Sequence, residues 1–283
     1  MEKVNNTLKT LVIYGGRTMA GHIIADYFLN IGNYKIITLE ESSIFNGGLL
    51  STSKDFLINN VDIVINCIRC LVEESEENIE KAEMYNYQFP KYIEKYYRDT
   101  KTKIIHLSTD CIFSGNEGNY NEQAKPNGIS IYSKTKALGE INNNKDVTIR
   151  TSYIGPNIGE SEEELFHWFM VQKNKTISGY SNAYWNGVTT LELAKSLHKI
   201  IEKNITGLYH LVPNGKLSKY ELLALIKEIW KKKDIILKID SSIEYNRTLL
   251  DTRKLVKVSN FNKMLKELFD YMLIRKYIYS SYF

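Results

Sequence analysis

Between residues 10 and 152 short apolar runs rich in β-branched residues recur, most of them separated by segments with helical spacing. TLVIYG (10–15), YKIITLE (34–40), VDIVINC (61–67), TKIIHLS (102–108) and DVTIRTS (146–152) read as strands. MAGHIIADYFLNIG (19–32), a stretch over roughly 74–97, and ISIYSKTKALGEI (129–141) read as helices between them. Strands joined through helices run parallel rather than as hairpins, and a parallel sheet needs cover on both faces. The order therefore predicts an α/β fold with a doubly wound parallel sheet.

After GPN (155–157) the rhythm changes. SEEELFHWFMVQ (161–172), TLELAKSLHKIIEK (190–203), KYELLALIKEIWKKK (219–233) and FNKMLKELFDYMLIRKYI (261–278) have helical spacing, while GLYHLV (207–212) and IILKI (235–239) read as strands. Ser218 and Glu221 in SKYE have capping-box spacing. We expect residues 1–155 to form a nucleotide-binding region and 156–283 a smaller C-terminal α/β lobe, with some elements returning to the first core.

Composition narrows the function. The 283 residues are 43% hydrophobic and 25% charged with four prolines, an ordinary globular balance that argues against long disorder. No stretch approaches the length of a membrane span, and MEKVNNTLKTLVIYGG has too short an apolar run for a signal peptide, so a cytoplasmic protein is expected. The net charge of +4 includes KKK at 231–233 but no sustained basic stripe, which argues against a nucleic-acid partner. Cys67, Cys70 and Cys111 are an odd number, and the CIRC pair lacks further ligands nearby in sequence, so no metal site is expected. A helical face offers a surface for a homodimer.

YGGRTMAGH (14–22) joins the first strand to the first helix. Such a turn aims backbone N–H groups and a helix N-terminus at a pyrophosphate, which makes Gly15, Arg17, Thr18, Met19 and Gly21 candidate cofactor residues in a Rossmann-type arrangement. The alternative is a tight structural loop, because Thr18 stands where a glycine usually allows close approach. Thr18 must contribute its hydroxyl or shift the turn. Arg17 suits an adenosine 2′-phosphate and Glu40, near the end of the second strand, suits a free ribose hydroxyl. Arg17 lies in the turn itself and tips the expectation to NADPH over NADH.

Three pairs fit Tyr-x-x-x-Lys: Tyr87/Lys91, Tyr97/Lys101 and Tyr132/Lys136. Pro90 interrupts the first and the turn RDT spans the second. Tyr132 and Lys136 lie in a helical segment without internal Gly or Pro, so both project from one face. A nearby ammonium favours phenolate, so Lys136 is expected to lower the Tyr132 pKa while Tyr132 passes a proton to a carbonyl that receives hydride. The strand TKIIHL delivers Ser108 and Thr109 to the C-terminal sheet edge, where ligands of open α/β sheets gather. Asp110 and Cys111 follow them. A strand-end cap is the other reading of Thr109.

With YGGRTMAGH, VINCI (64–68), Asn86 before FP (89–90), STDCIFSG (108–115), YSKTKALGE (132–140) and RTSYIGP (150–156), the chain resembles the extended short-chain dehydrogenase/reductases over about residues 10–275. Within them it is similar to dTDP-4-dehydrorhamnose reductases and related nucleotide-sugar 4-reductases. The resemblance implies that Tyr132 is the catalytic acid, that Lys136 binds ribose and tunes it, and that Thr109 fixes the substrate carbonyl. It also implies that Cys67 and Ile68 pass the adenosine and bridging region of the cofactor, and Tyr153 and Ile154 the nicotinamide. Arg69 stands where a small residue is often found, and with Thr18 it departs from the pattern.

The residues themselves reach a ketone or alcohol exchanging hydride with a nicotinamide; the sugar comes from the resemblance. GYSNAYWNGVTT (179–190) is suited to clasp a sugar, Trp185 by its flat face and Asn182 and Asn186 by their amides, with core packing the alternative for Trp185. Arg247 suits a diphosphate, or a solvated surface. NCIRCLVEESEEN (66–78), STDCIFSG, FHWFM and NAYWNGVTT look closer to reductases of UDP-2-acetamido-2,6-dideoxyhexoses, which implies reduction of UDP-2-acetamido-2,6-dideoxy-L-hexos-4-ulose at C4, toward a UDP-N-acetyl-L-rhamnosamine-like sugar. Reduction of dTDP-4-dehydrorhamnose, nucleotide-sugar epimerisation and a non-catalytic NADP-binding regulatory subunit are the alternatives.

Overall fold

The computed structural model describes residues 8–158 and 164–283. Six strands form one parallel sheet: β1 (Lys9–Tyr14), β2 (Tyr34–Leu39), β3 (Ile63–Asn66), β4 (Lys103–Ser108), β5 (Val147–Arg150) and, after a strand of the second half, β7 (Gly207–His210). Their spatial order is β2, β1, β3, β4, β5, β7, and every neighbouring pair is parallel. The chain reverses its direction across the sheet between β1 and β3, which opens a crevice at their C-terminal ends. The doubly wound Rossmann-type sheet expected from the strand–helix alternation is present.

Both faces are buried, and the side chains divide between them with the strand period of two. Leu11 and Ile13 of β1 join Ile63, Ile65, Ile105 and Leu107 on one face, under Ile23, Ile24 and Phe28 of helix α1 (Gly21–Ile31). Val12 and Tyr14 face the other way, against Phe89, Ile93 and Tyr97 of helix α2 (Phe89–Tyr97). The expected helix over roughly 74–97 is divided into shorter pieces. Asn78 caps the Lys81 amide, and a π-helical turn over Met84–Gln88 precedes α2. Pro90 has no N–H to offer the Asn86 carbonyl, and Gly139 packs against that oxygen so closely that a Cβ there would lie 1.9 Å away.

Helix α3 (Ile131–Leu138) carries the tyrosine–lysine pair and is capped by Ser130, which accepts from the Ser133 amide. Beyond β5 a second sheet forms. Strand β6 (Lys175–Trp185) pairs parallel with β8 (Ile235–Asn246), with an irregularity between Asp240 and Glu244, and antiparallel with Leu217–Ser218. Helices α4 (Thr190–Glu202), α5 (Lys219–Ile229) and α6 (Phe261–Ile274) complete this half, and α4 packs on α1 of the first. The smaller C-terminal α/β lobe is thus present, with β7 returning to the main sheet. Part of the expected helix 161–172 lies outside the described residues, and Leu165–Val171 is helical.

Two expectations change. Residues 179–185 of the expected sugar-clasping segment, given no secondary structure from the sequence, belong to β6. The strand begun at Ile235 runs to Asn246, well past Ile239, because β6 gives it a partner over most of that length. Among the described residues no helix is long and apolar enough to cross a membrane.

Candidate active site

The turn after β1 is held by its own groups. Gly15 has φ +80°, in the left-handed region that suits glycine, and its amide donates to the Leu39 carbonyl at 2.8 Å. Thr18 contributes its hydroxyl: Oγ1 donates to the Gly15 carbonyl at 2.8 Å and accepts from the Gly21 amide at 3.1 Å. A Cβ on Gly21 would lie 2.0 Å from the Gly15 oxygen, so only glycine lets α1 start this close to the turn. Gly15, Arg17, Thr18 and Glu40 line a hollow of about 350 Å³ with Glu41 and Ser42. The Arg17 amide donates to Glu40 Oε2 at 3.2 Å, which ties the turn to the end of β2.

A second cavity, of about 200 Å³, opens at the C-terminal ends of β3, β4 and β5. Met19, Cys67, Ile68, Arg69, Tyr153 and Ile154 line it together with Thr109, Asp110, Cys111, Tyr132 and Lys136. Residues separated by more than 100 positions in sequence thus share one wall. Asn66 shapes the turn after β3: its Oδ1 accepts from the Ile68 amide at 3.1 Å. Asn86 pins the next residues, accepting from the Cys70 amide at 3.0 Å and donating to the Cys70 carbonyl and to Thr135 of α3.

Tyr132 and Lys136 face this cavity one helical turn apart, and both are almost fully buried. Lys136 Nζ donates to the Leu107 carbonyl at 2.7 Å. Thr109 Oγ1 donates to Asp110 Oδ1 at 3.1 Å and accepts from the Cys111 amide at 3.1 Å. The other two pairs serve the scaffold. Lys91 donates to the Glu140 carbonyl, and the Tyr97 hydroxyl donates to the Ile58 carbonyl.

The electrostatics differ from the simple picture of lysine lowering the tyrosine. Burial raises the Tyr132 pKa, with Cys111 adding to the rise and Arg69 and the Thr109 hydroxyl opposing it. Burial also lowers Lys136 to about 7, reinforced by Arg69 and opposed by Glu140 and Cys67. Desolvation therefore outweighs the expected mutual assistance, and Tyr132 stands in its protonated form, ready to give a proton. Cys67 is likewise raised by burial, to about 12.

Arg69 spans the cavity. It donates to the Tyr153 hydroxyl at 2.8 Å, lies over the Tyr153 ring and forms an ion pair with Glu164. A small side chain at this position would leave the bridge unmade. Behind the wall, Glu140 Oε1 and Oε2 accept from Arg150 Nε and Nη2 at 2.8 and 2.7 Å, while Ser108 Oγ donates to Oε1 at 2.7 Å. This buried group fixes the end of α3 to the ends of β4 and β5.

The proposed sugar-binding residues separate. Trp185 is 1% exposed and its Nε1 donates to Ser152 Oγ at 2.9 Å, so it packs in the core and steadies a cavity residue instead of presenting a flat face. Asn186 spends its amide on the Leu249 backbone in both directions, at 2.7 and 3.0 Å. Asn182 lies in β6 opposite Glu244, away from the cavity. Arg247 is no solvated surface group: Nη1 lies 3.6 Å from Cys111 Sγ, directly behind the cavity wall. Ser108, Thr151, Ser152, Glu164 and Lys219 also line the cavity. Applying the strand-end rule that found Thr109 to RTS after β5 would have found Thr151 and Ser152.

A family model for the RmlD substrate binding domain matches residues 10–249. The dTDP-4-dehydrorhamnose reductase of Aggregatibacter actinomycetemcomitans is 26% identical over 234 residues, 76% of this chain and 77% of the relative. The structure of dTDP-4-dehydrorhamnose reductase from Bacillus anthracis str. Ames in complex with NADP superposes with a TM-score of 0.80 at 18% identity, covering 93% of this chain and 99% of that one. A hypothetical dTDP-4-dehydrorhamnose reductase from Sulfolobus tokodaii superposes with a TM-score of 0.74 at 25% identity, covering 89% and 96%. The family match takes in the glycine turn, the strand-end threonine and the buried tyrosine–lysine pair together, and the chain belongs to the RmlD substrate binding domain family.

Proposed function

We propose that this chain is an NAD(P)H-dependent reductase of the C4 ketone of a nucleotide-linked 6-deoxyhexose. The observation that carries the reading is the meeting of Thr109, Tyr132 and Lys136 on one cavity that Met19 and Cys67 also line. The turn suits a dinucleotide: Gly15 and Gly21 bring backbone close to the hollow shared by Arg17 and Glu40. A bound dihydronicotinamide supplies hydride to the carbonyl carbon. Tyr132 gives its proton to the carbonyl oxygen, and Thr109 turns its single hydroxyl proton from Asp110 Oδ1 to that oxygen to hold it. Lys136 holds a ribose hydroxyl and the charge that develops beside Tyr132. Residues 1–155 carry the cofactor in this reading and 156–283 the sugar nucleotide, with Arg247 near the diphosphate.

For the substrate, the relatives named dTDP-4-dehydrorhamnose reductase support a thymidine-linked 4-keto sugar over the UDP-2-acetamido sugar expected from the motifs. For the cofactor, the exposed Arg17 supports NADPH, and Glu40 is already engaged by the Arg17 amide. Anaerobic incubation with dTDP-4-dehydrorhamnose or UDP-2-acetamido-2,6-dideoxy-L-hexos-4-ulose, each with NADPH or NADH, tests both choices by product NMR. The thymidine sugar with NADPH should give a C4 alcohol fastest. Turnover of the UDP sugar alone would overturn the substrate reading.

A further inference from the structure

Lys219 is the first residue of α5, immediately after the Ser218 cap, and it lines the same cavity as Tyr132 and Thr109. Its own helix does not compensate its charge. A cation in the first helical turn meets the positive end of the helix dipole. Glu221, the nearest acid on the helix, is occupied in the capping box, accepting from the Ser218 amide at 2.7 Å while its own amide donates to Ser218 Oγ at 3.1 Å. Among the described residues no carboxylate lies within ion-pair distance of Lys219, and its ammonium lies over the Trp185 ring, 5.7 Å from the centroid. Burial lowers its pKa, Asp110 and Cys111 pull it back up, and Arg247 adds to the lowering.

The capping box fixes where the lysine starts, and Trp185, held by Ser152, fixes the surface over which the ammonium lies. The position is therefore preorganised, yet three donor hydrogens remain for an acceptor that comes from outside. The acceptor must enter beside Thr109 and Asp110, where the reading above places the sugar.

We infer that Lys219 is a sugar-positioning residue, whose ammonium donates to an oxygen substituent of the hexose ring and so selects sugars that carry an acceptor there. The inference rests on the reductase reading for the identity of the sugar. The acceptor is a ring hydroxyl or an acyl carbonyl oxygen, and the two sources are separable. A hydrogen bond from a charged donor corresponds to roughly 10–100-fold in binding.

Calorimetric titration tests it without turnover. Wild type, Lys219→Met and Lys219→Arg are titrated with dTDP-rhamnose, with a UDP-2-acetamido-2,6-dideoxyhexose, and with dTDP and UDP alone, all in the presence of NADP. Lys219→Met should weaken one sugar nucleotide roughly 10–100-fold relative to wild type, leave the bare nucleotides and NADP unchanged, and be partly rescued by Lys219→Arg. A loss confined to the rhamnose conjugate assigns a ring hydroxyl; a loss confined to the acetamido conjugate assigns the acyl oxygen. Equal weakening of sugar nucleotide and bare nucleotide, no weakening at all, or no binding by the wild type overturns the inference. Sugar-dependent weakening in a protein that fails to oxidise NADPH would retain it and reject the reductase reading.

Discussion

Lys136 Nζ donates to the Leu107 carbonyl at 2.7 Å, two residues before Thr109, so the lysine of α3 is anchored to the strand that presents the threonine. The bond satisfies the amine in a place where burial and Arg69 together disfavour its charge and lower it to about 7.

That depression has a consequence for stability. In the unfolded chain lysine holds its proton to about pH 10, whereas folded Lys136 releases it near 7. Between these values the unfolded chain binds more protons, so stability rises with pH across the window and is reduced below it. Denaturant midpoints measured without cofactor should rise from about pH 7 to about pH 10 in wild type relative to Lys136→Met. A constant difference between the two proteins would contradict the depressed lysine.

Tyr132→Phe removes the proton donor and little else, since the ring remains buried in the same wall. Turnover should fall roughly 100- to 10,000-fold while the dissociation constant for NADPH changes little. Undiminished turnover would reject Tyr132 as the acid.

Gly21→Ala places a methyl 2.0 Å from the Gly15 carbonyl oxygen. The helix start and the turn must then move apart. A stability loss of about 1–3 kcal/mol should accompany weakened cofactor binding, read by thermal melts with and without NADPH. Unchanged binding would separate this turn from the cofactor.

Glu140→Ala leaves Arg150 buried without its bidentate partner and also removes the acceptor of Ser108. Breaking such a pair costs about 3–5 kcal/mol. Replacing both partners, Glu140→Leu with Arg150→Met, should cost less than Glu140→Ala in urea unfolding, because no lone charge remains. A larger cost for the double variant would contradict the desolvation account.

The parts of the molecule legible in the sequence are those set by local pattern. Strands buried on both faces, such as VDIVINC and TKIIHLS, read as continuous apolar runs, and α3 holds its pair at helical spacing without Gly or Pro. The parts that were not legible depend on distant partners. KTISGYSNAYW carries Gly, Ser and Asn, which are poor strand formers, and it becomes β6 because β8 pairs along most of its length. Trp185 reads equally as a sugar platform or a core residue until Ser152 is seen to take its indole N–H. Lys219 is, in the sequence, only the first residue of the helical segment 219–233, and the fold brings it to the cavity that Tyr132 lines.

The most direct test of the account follows the hydride itself. NADPH deuterated at the transferring carbon is mixed with dTDP-4-dehydrorhamnose and the enzyme, and the sugar product is examined by NMR. Stoichiometric cofactor oxidation with deuterium at C4, slowed roughly 100- to 10,000-fold by Tyr132→Phe, is the expected result. Recovery of an isomerised ketone without net oxidation, or of unchanged substrate from enzyme with cofactor bound, would contradict it.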